Sequence, residues 1–274
     1  MSACLVVLSG GQDSTTCLYW AMQHYDEVHA ITFGYGQRHN IEMQAAKIVG
    51  VLAGVESHEF VNLGFDILKG TSPLVSDNEL EQYDSHDVLP EGLEKTFVPM
   101  RNQLFLTVAA NRAYNLGITN IITGVSGEDY GGYPDCRQEF ITAFAEVSSL
   151  GTFTGEDGAP SGLQVITPLM KLDKRKTVEL AMNLGNCYEA LAYTHTAYDG
   201  QFPPMGNDHA TLLREKGFEE AGCPDPLWLR AHLFGHDLPD NPIYDLNKPF
   251  VQEQLQRVSW SVQVVALARK LGDL

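Results

Sequence analysis

Leu5-Val6-Val7-Leu8-Ser9-Gly10-Gly11-Gln12-Asp13-Ser14-Thr15-Thr16 is the stretch whose reading decides the fold. Four apolar residues predict a short buried strand and the Gly-Gly pair a tight loop. The spacing of Cys17, Leu18, Ala21, Met22 and Tyr25 predicts a helix beginning near Ser14. At such a strand-loop-helix junction the first helical N–H groups converge and the helix dipole adds partial positive charge, so an anion is expected there. Gly10 and Gly11 allow close backbone approach, and Ser9, Ser14 and Thr15 add hydroxyl groups. Asp13 is the one carboxylate in the loop able to hold magnesium.

Working outward, Val28 to Phe33 reads as a second strand, and Asn40 to Ala53 carries helical spacing through Ile41, Ala45, Ile48 and Leu52. A third strand fits His58 to Leu63. Gly64 to Lys95 loses the pattern in acidic and turn-forming residues, as expected of a lid or binding loop. Thr96 to Asn102 leads into a helix with Leu104, Val108 and Ala109 inward and Gly117 as a stop. Asn120 to Val125 follows as a strand, then the Gly-, Tyr- and acid-rich loop Ser126 to Arg137 and a helix with Phe140, Ala143, Phe144 and Val147. Val165 to Leu169 is another short strand, and Asp173 is expected to cap a helix from Lys174 to Leu184. Asn186 to Pro224 has weak periodicity. Phe250 to Leu271 reads as a long helix whose stripe of Leu255, Val258, Val262 and Val265 must pack on the sheet domain or on a second subunit. The alternation of strand and helix implies an α/β fold with a doubly wound parallel sheet and ligands at the carboxyl ends of its strands.

The formal charge of −17 argues against nonspecific nucleic-acid binding, which depends on Lys and Arg neutralising phosphates. A small-molecule substrate is expected instead. The five cysteines are scattered with no C-x-x-C, which suggests neither a disulfide framework nor a zinc cluster. No apolar run approaches the length of a membrane span, and a cytoplasmic protein is expected.

Neither the G-x-x-x-x-G-K-[ST] nor the G-x-G-x-x-G phosphate loop is present. The S-G-G-Q-D-S segment resembles the pyrophosphate loop of the N-type ATP pyrophosphatases. Four further motifs make the resemblance specific: G-Y-G-Q-R-H (Gly34 to His39), F-V-P-M-R-N (Phe97 to Asn102), G-Y-P-D-C-R (Gly132 to Arg137) and T-P-L-M-K-L-D-K (Thr167 to Lys174). Taken together, the sequence resembles the 7-cyano-7-deazaguanine synthase family over roughly residues 4 to 200. The resemblance implies a Rossmann-like ATP pyrophosphatase domain over 1–185 and a C-terminal lobe over 186–274. ATP and magnesium are the implied cofactors and 7-carboxy-7-deazaguanine the implied substrate. Carried over by motif, the ATP site comprises Leu8, Ser9, Gly10, Gly11, Gln12, Asp13, Ser14, Thr15, Thr16, Cys17 and Leu18, with Phe33 against adenine and Arg101, Gly124 and Lys174. Substrate-binding or catalytic candidates are Tyr35, Gln37, Arg38, His39, Asn102, Glu128, Asp129, Tyr133, Asp135 and Arg137.

The implied activity is adenylation of the carboxylate and amidation to the amide or nitrile. Transfer to an amine on a partner protein, as in antiviral-cluster paralogues, and a non-catalytic nucleotide-binding subunit are the alternatives. The family's four zinc cysteines correspond here to Ala197, Met205, Asp208 and Thr211, so no zinc site is expected. His195, Asp208 and His209 form only a mixed set at loop spacing. Apolar packing of residues near Met205 and Leu212-Leu213 against the C-terminal segment is expected in place of the metal. A homodimer and a protein partner on the C-terminal lobe are further expectations.

Overall fold

The computed structural model describes residues 2–35, 41–64, 67–68, 70, 72–76, 81–85, 95–126, 133–197 and 200–274. Its centre is a five-stranded parallel sheet. β1 (Ala3–Val7) lies between β2 (Glu27–Gly34) and β4 (Asn120–Ile122), with β3 (Ser57–Asn62) beyond β2 and β5 (Gln164–Ile166) beyond β4. The order β3-β2-β1-β4-β5 takes the chain outward through one half and back to the other flank of β1. The carboxyl ends of β1 and β4 are therefore the switch point, where open α/β sheets bind ligands.

Strand periodicity sends alternate side chains to opposite faces. Leu5, Ile31 and Ile121 join Leu106, Ala109 and Ala113 of α3 (Arg101–Leu116) and Ile141 and Phe144 of α4 (Gln138–Gly151). On the other face Cys4, Val6, Ala30 and Ile122 meet Cys17, Leu18 and Ala21 of α1 (Gln12–His24) and Ala46 and Val49 of α2 (Ile41–Ala53). A further core joins the outer side of α1, through Tyr19, to Val178 and Ala181 of α5 (Lys174–Asn183) and to four later helices. These are α6 (Cys187–Leu191), α7 (His209–Glu220), α8 (Pro226–Leu233) and α9 (Pro249–Leu271). The apolar contact thus runs across residue 185 without a break. Among the described residues no helix is long and apolar enough to cross a membrane.

Several boundaries move from their expected places. α1 starts at Gln12, two residues before Ser14. The fourth strand's ladder stops at Ile122 rather than Val125, because its outer neighbour β5 ends at Ile166, just before Thr167 and Pro168. The weakly periodic 186–224 region contains α6 and α7, short helices whose buried positions are set by neighbours on several sides. The α9 stripe packs on this chain's own helices, burying Val251, Val258 and Val265, and Arg257 grips Glu189 of α6 at 2.7 and 3.1 Å.

Candidate active site

The loop after β1 is braced by its own serines. The Ser9 N–H donates to Ser14 Oγ at 3.1 Å, the two hydroxyl oxygens lie 3.0 Å apart, and Ser14 Oγ reaches the Gly11 carbonyl at 3.2 Å. Two glycines are required by close approach. A Cβ on Gly10, whose φ is +88°, would lie 2.3 Å from the Glu42 carbonyl oxygen, and one on Gly124 would lie 2.8 Å from Ser14 N. The first turn of α2 and the chain beyond β4 therefore press directly on the loop. From the far side, the His195 N–H donates to the Gly10 carbonyl at 2.9 Å. Gln12 Nε2 and Thr15 Oγ1 are buried with no partner among the described residues. Leu8, Cys17 and Leu18 are fully buried in the core behind the loop, and Thr16 Oγ1 bonds the Gln12 carbonyl at 2.9 Å. Their side chains support the loop rather than line it.

Lys174, the first residue of α5, is buried, and its Nζ donates to Asp13 Oδ2 at 2.7 Å. Asp173 caps α5 by accepting from the Lys176 N–H at 2.8 Å, and Gly217 of α7 leaves room for Lys174, since a Cβ there would meet Lys174 Cβ at 2.9 Å. A cation, a carboxylate and a braced nest of amides thus converge at the N-terminus of α1.

Beside the loop, Phe33 stacks on Phe105 with centroids 4.6 Å apart, and Tyr35 tilts against the same ring at 5.3 Å. The Arg101 guanidinium lies 6.0 Å from the Tyr35 ring centroid. Met100, at φ 66°, holds an uncommon left-handed conformation immediately before Arg101 and fixes the entry to α3. Asp135 accepts from the Asn102 N–H at 3.2 Å at that helix start, and burial pushes its carboxyl above the usual range. Tyr133 bonds Thr96 at 2.7 Å and stacks on Phe97. Arg137 lies at the exposed start of α4. Gln37, Arg38, His39, Glu128 and Asp129 fall outside the described residues.

Sequence reasoning did not single out Glu42 or Phe105. Glu42 sits in the first turn of α2, and burial pushes its carboxyl up to about 7 against the opposing pull of Arg101. Its signal was an acid in the first turn of the helix that follows β2. For Phe105 the signal was its position four residues after Arg101, on the same helix face.

A family model described as queuosine biosynthesis protein QueC matches residues 3–222. The chain belongs to the QueC family. The 7-cyano-7-deazaguanine synthase of Gloeobacter violaceus is 52% identical over 230 residues, covering 83% of this chain and 96% of that protein. The synthase of Laribacter hongkongensis is 46% identical over 227 residues, covering 81% and 93%. Among solved structures, a complex of 4-thiouridine synthetase and RNA with bound ATP overlays with a TM-score of 0.43 at 16% identity, covering 85% of this chain and 53% of that one.

Within this QueC-family chain, the expected zinc-cysteine positions hold no thiolate set. Ala197 is buried, and Asp208 is spent capping α7, accepting from Thr211 N at 2.9 Å and Thr211 Oγ1 at 3.0 Å. Among the described residues no group of three His, Cys, Asp or Glu could hold a metal ion. The expected packing of Met205 is corrected: it is 75% exposed, because its loop turns outward to Gln82 and Tyr83, with Asn207 N 2.6 Å from Gln82 Oε1 and Asn207 O 3.0 Å from Tyr83 N. Leu212 is buried and Leu213 half-buried. A buried arginine cross-links this lobe. Arg214 bonds Asp225 at 2.6 and 2.8 Å, Thr194 at 2.7 Å, Thr196 at 3.1 Å and the Leu191 carbonyl at 3.1 Å, all from a buried position.

Proposed function

We propose that this protein adenylates the carboxylate of 7-carboxy-7-deazaguanine with ATP and converts the product to the amide or the nitrile. The observation that carries the reading is the Lys174–Asp13 pair at the mouth of the braced loop, next to an aromatic and charged wall of Phe33, Phe105, Tyr35, Arg101 and Glu42. The relatives above are named for 7-cyano-7-deazaguanine, which supports a 7-deazaguanine product.

In this reading the amides at the start of α1 receive the triphosphate, and Lys174 turns from Asp13 to its oxygens. Asp13 is a partly exposed lone loop carboxylate, a donor that suits magnesium, which binds through one or two carboxylates plus phosphate oxygens. When bound, magnesium would neutralise charge on the departing pyrophosphate. A substrate carboxylate oxygen attacks the α-phosphorus, the bond to the β-phosphate bridge breaks, and pyrophosphate leaves. Ammonia then attacks the acyl carbon of the adenylate, AMP leaves, and one proton is released. In this reading Glu42, titrating near 7, accepts it. A second ATP activating the amide oxygen would carry the amide to the nitrile by loss of AMP and a proton. Arg101, Asn102 and Asp135 hold and orient the substrate.

The test is mass spectrometry of a reaction containing ATP, 7-carboxy-7-deazaguanine and ammonium. Amide or nitrile accompanied by AMP is the expected product. Unchanged acid together with intact ATP would reject the assignment.

A further inference from the structure

Arg230 of α8 lies beyond the segment matched by the QueC family model. Its guanidinium carbon sits 3.8 Å from the Phe202 ring centroid and 4.6 Å from that of Tyr193, so two aromatic rings pack against it. Its Nε is buried without a partner, and among the described residues nothing gives the guanidinium a hydrogen bond or an ion pair. The nearby carboxylate of Asp225 is committed to Arg214 through both oxygens. Arg214 and Arg269 are the positive charges that act on Arg230, and Arg269 also has no ion-pair partner among the described residues. Burial draws the guanidinium down to about 10, and the opposing pull of Tyr193 and Asp225 offsets only part of that shift. In a chain of net charge −17 with 35 acidic residues, an arginine fixed in place with no acid assigned to it calls for a ligand.

We propose that Arg230, framed by Phe202, Tyr193 and Arg269, is a receptor for the oxoanion group of a small molecule, a carboxylate or a phosphate monoester. The two rings hold the fork rigid, so little side-chain freedom is lost on binding, and a guanidinium pairs with either anion through two parallel hydrogen bonds. Because Phe202 and Tyr193 flank the segment whose His195 holds Gly10, an anion here would also steady the strap behind the phosphate loop.

The experiment titrates inorganic phosphate and, separately, acetate into the full chain, read by calorimetry and by fluorescence of the neighbouring Trp228. Wild type, Arg230→Gln, Arg230→Lys and Lys174→Met are compared, the last to disable the phosphate loop as a competing anion site. The expected result is saturable binding that persists in Lys174→Met and weakens about tenfold or more in Arg230→Gln. The tighter of the two probes identifies a carboxylate or a phosphate source. Three results would overturn the proposal: no saturable binding of either anion to wild type, equal binding in Arg230→Gln, or binding lost in Lys174→Met and kept in Arg230→Gln. Should Arg230→Gln fail to fold by circular dichroism, Arg230→Lys decides, since it keeps the charge but loses the planar fork, and binding equal to wild type contradicts the site.

Discussion

Lys174 Nζ rests 2.7 Å from Asp13 Oδ2, joining the first residue of α5 to the first turn of α1 across 161 positions of sequence. The pair brings both side chains together at the loop before any nucleotide arrives. Asp13→Ala and Lys174→Met are each expected to lower pyrophosphate release by at least about a hundredfold, the scale of losing one charge-stabilising group. The far-ultraviolet circular dichroism of both variants should match wild type. Release at the wild-type rate with unchanged magnesium dependence would remove Asp13 from the site.

Gly10 and Gly54 both have positive φ, but only Gly10 is crowded, with the Glu42 carbonyl 2.3 Å from where a Cβ would sit and nothing within 4 Å of Gly54. Gly54→Ala is expected to cost about 1 kcal/mol, the left-handed penalty alone. Gly10→Ala should cost at least about 3 kcal/mol and weaken ATP binding, because backbone must move. Urea melts of the two variants check this, and equal losses would show that the contact between α2 and the loop is unimportant.

Glu42 titrates in the folded chain at about 7, above its ordinary 4.5, because burial disfavours its charge. The unfolded chain therefore releases this proton first, and the folded state loses stability as pH rises from about 4.5 to 7. Glu42→Gln is expected to melt above wild type at pH 8, with the difference shrinking toward pH 4.5. Thermal melts across that range test it, and a difference that does not vary with pH would show that Glu42 titrates normally.

Arg214 cross-links the lobe, and removing it leaves the buried Asp225 side chain without its two hydrogen bonds from the guanidinium. Arg214→Ala is expected to cost about 3–5 kcal/mol, and to raise the KM for ATP, because Thr194 and Thr196 flank the His195 contact to Gly10. A chelator should leave the wild-type melting temperature unchanged. A chelator-induced loss as large as that of Arg214→Ala would mean that a metal holds the lobe after all.

The strand-loop-helix core was legible because Leu5 to Leu8 and the spacing after Ser14 are local patterns, and the F-V-P-M-R-N and T-P-L-M-K-L-D-K motifs named Arg101 and Lys174 as ATP-site candidates. Phe105 was not legible as a site residue, since an aromatic on the inner face of a helix reads like any core residue until Phe33 is seen stacked on it. The Arg214 network was hidden for another reason: its partners come from α6, the residue that caps α8 and the segment between α6 and α7, and no spacing rule links them. Met205 misled because hydrophobicity says nothing about which way a loop turns.

The central claim is that the substrate carboxylate itself attacks the α-phosphorus at the loop held by Asp13 and Lys174. The most direct measurement uses 7-carboxy-7-deazaguanine labelled with oxygen-18 in both carboxyl positions, with mass spectrometry of the nucleotide and phosphate products. One labelled oxygen in AMP, with none in pyrophosphate, is the expected result. Label in inorganic phosphate or pyrophosphate, with unlabelled AMP, would place the attack on another phosphorus and contradict the mechanism.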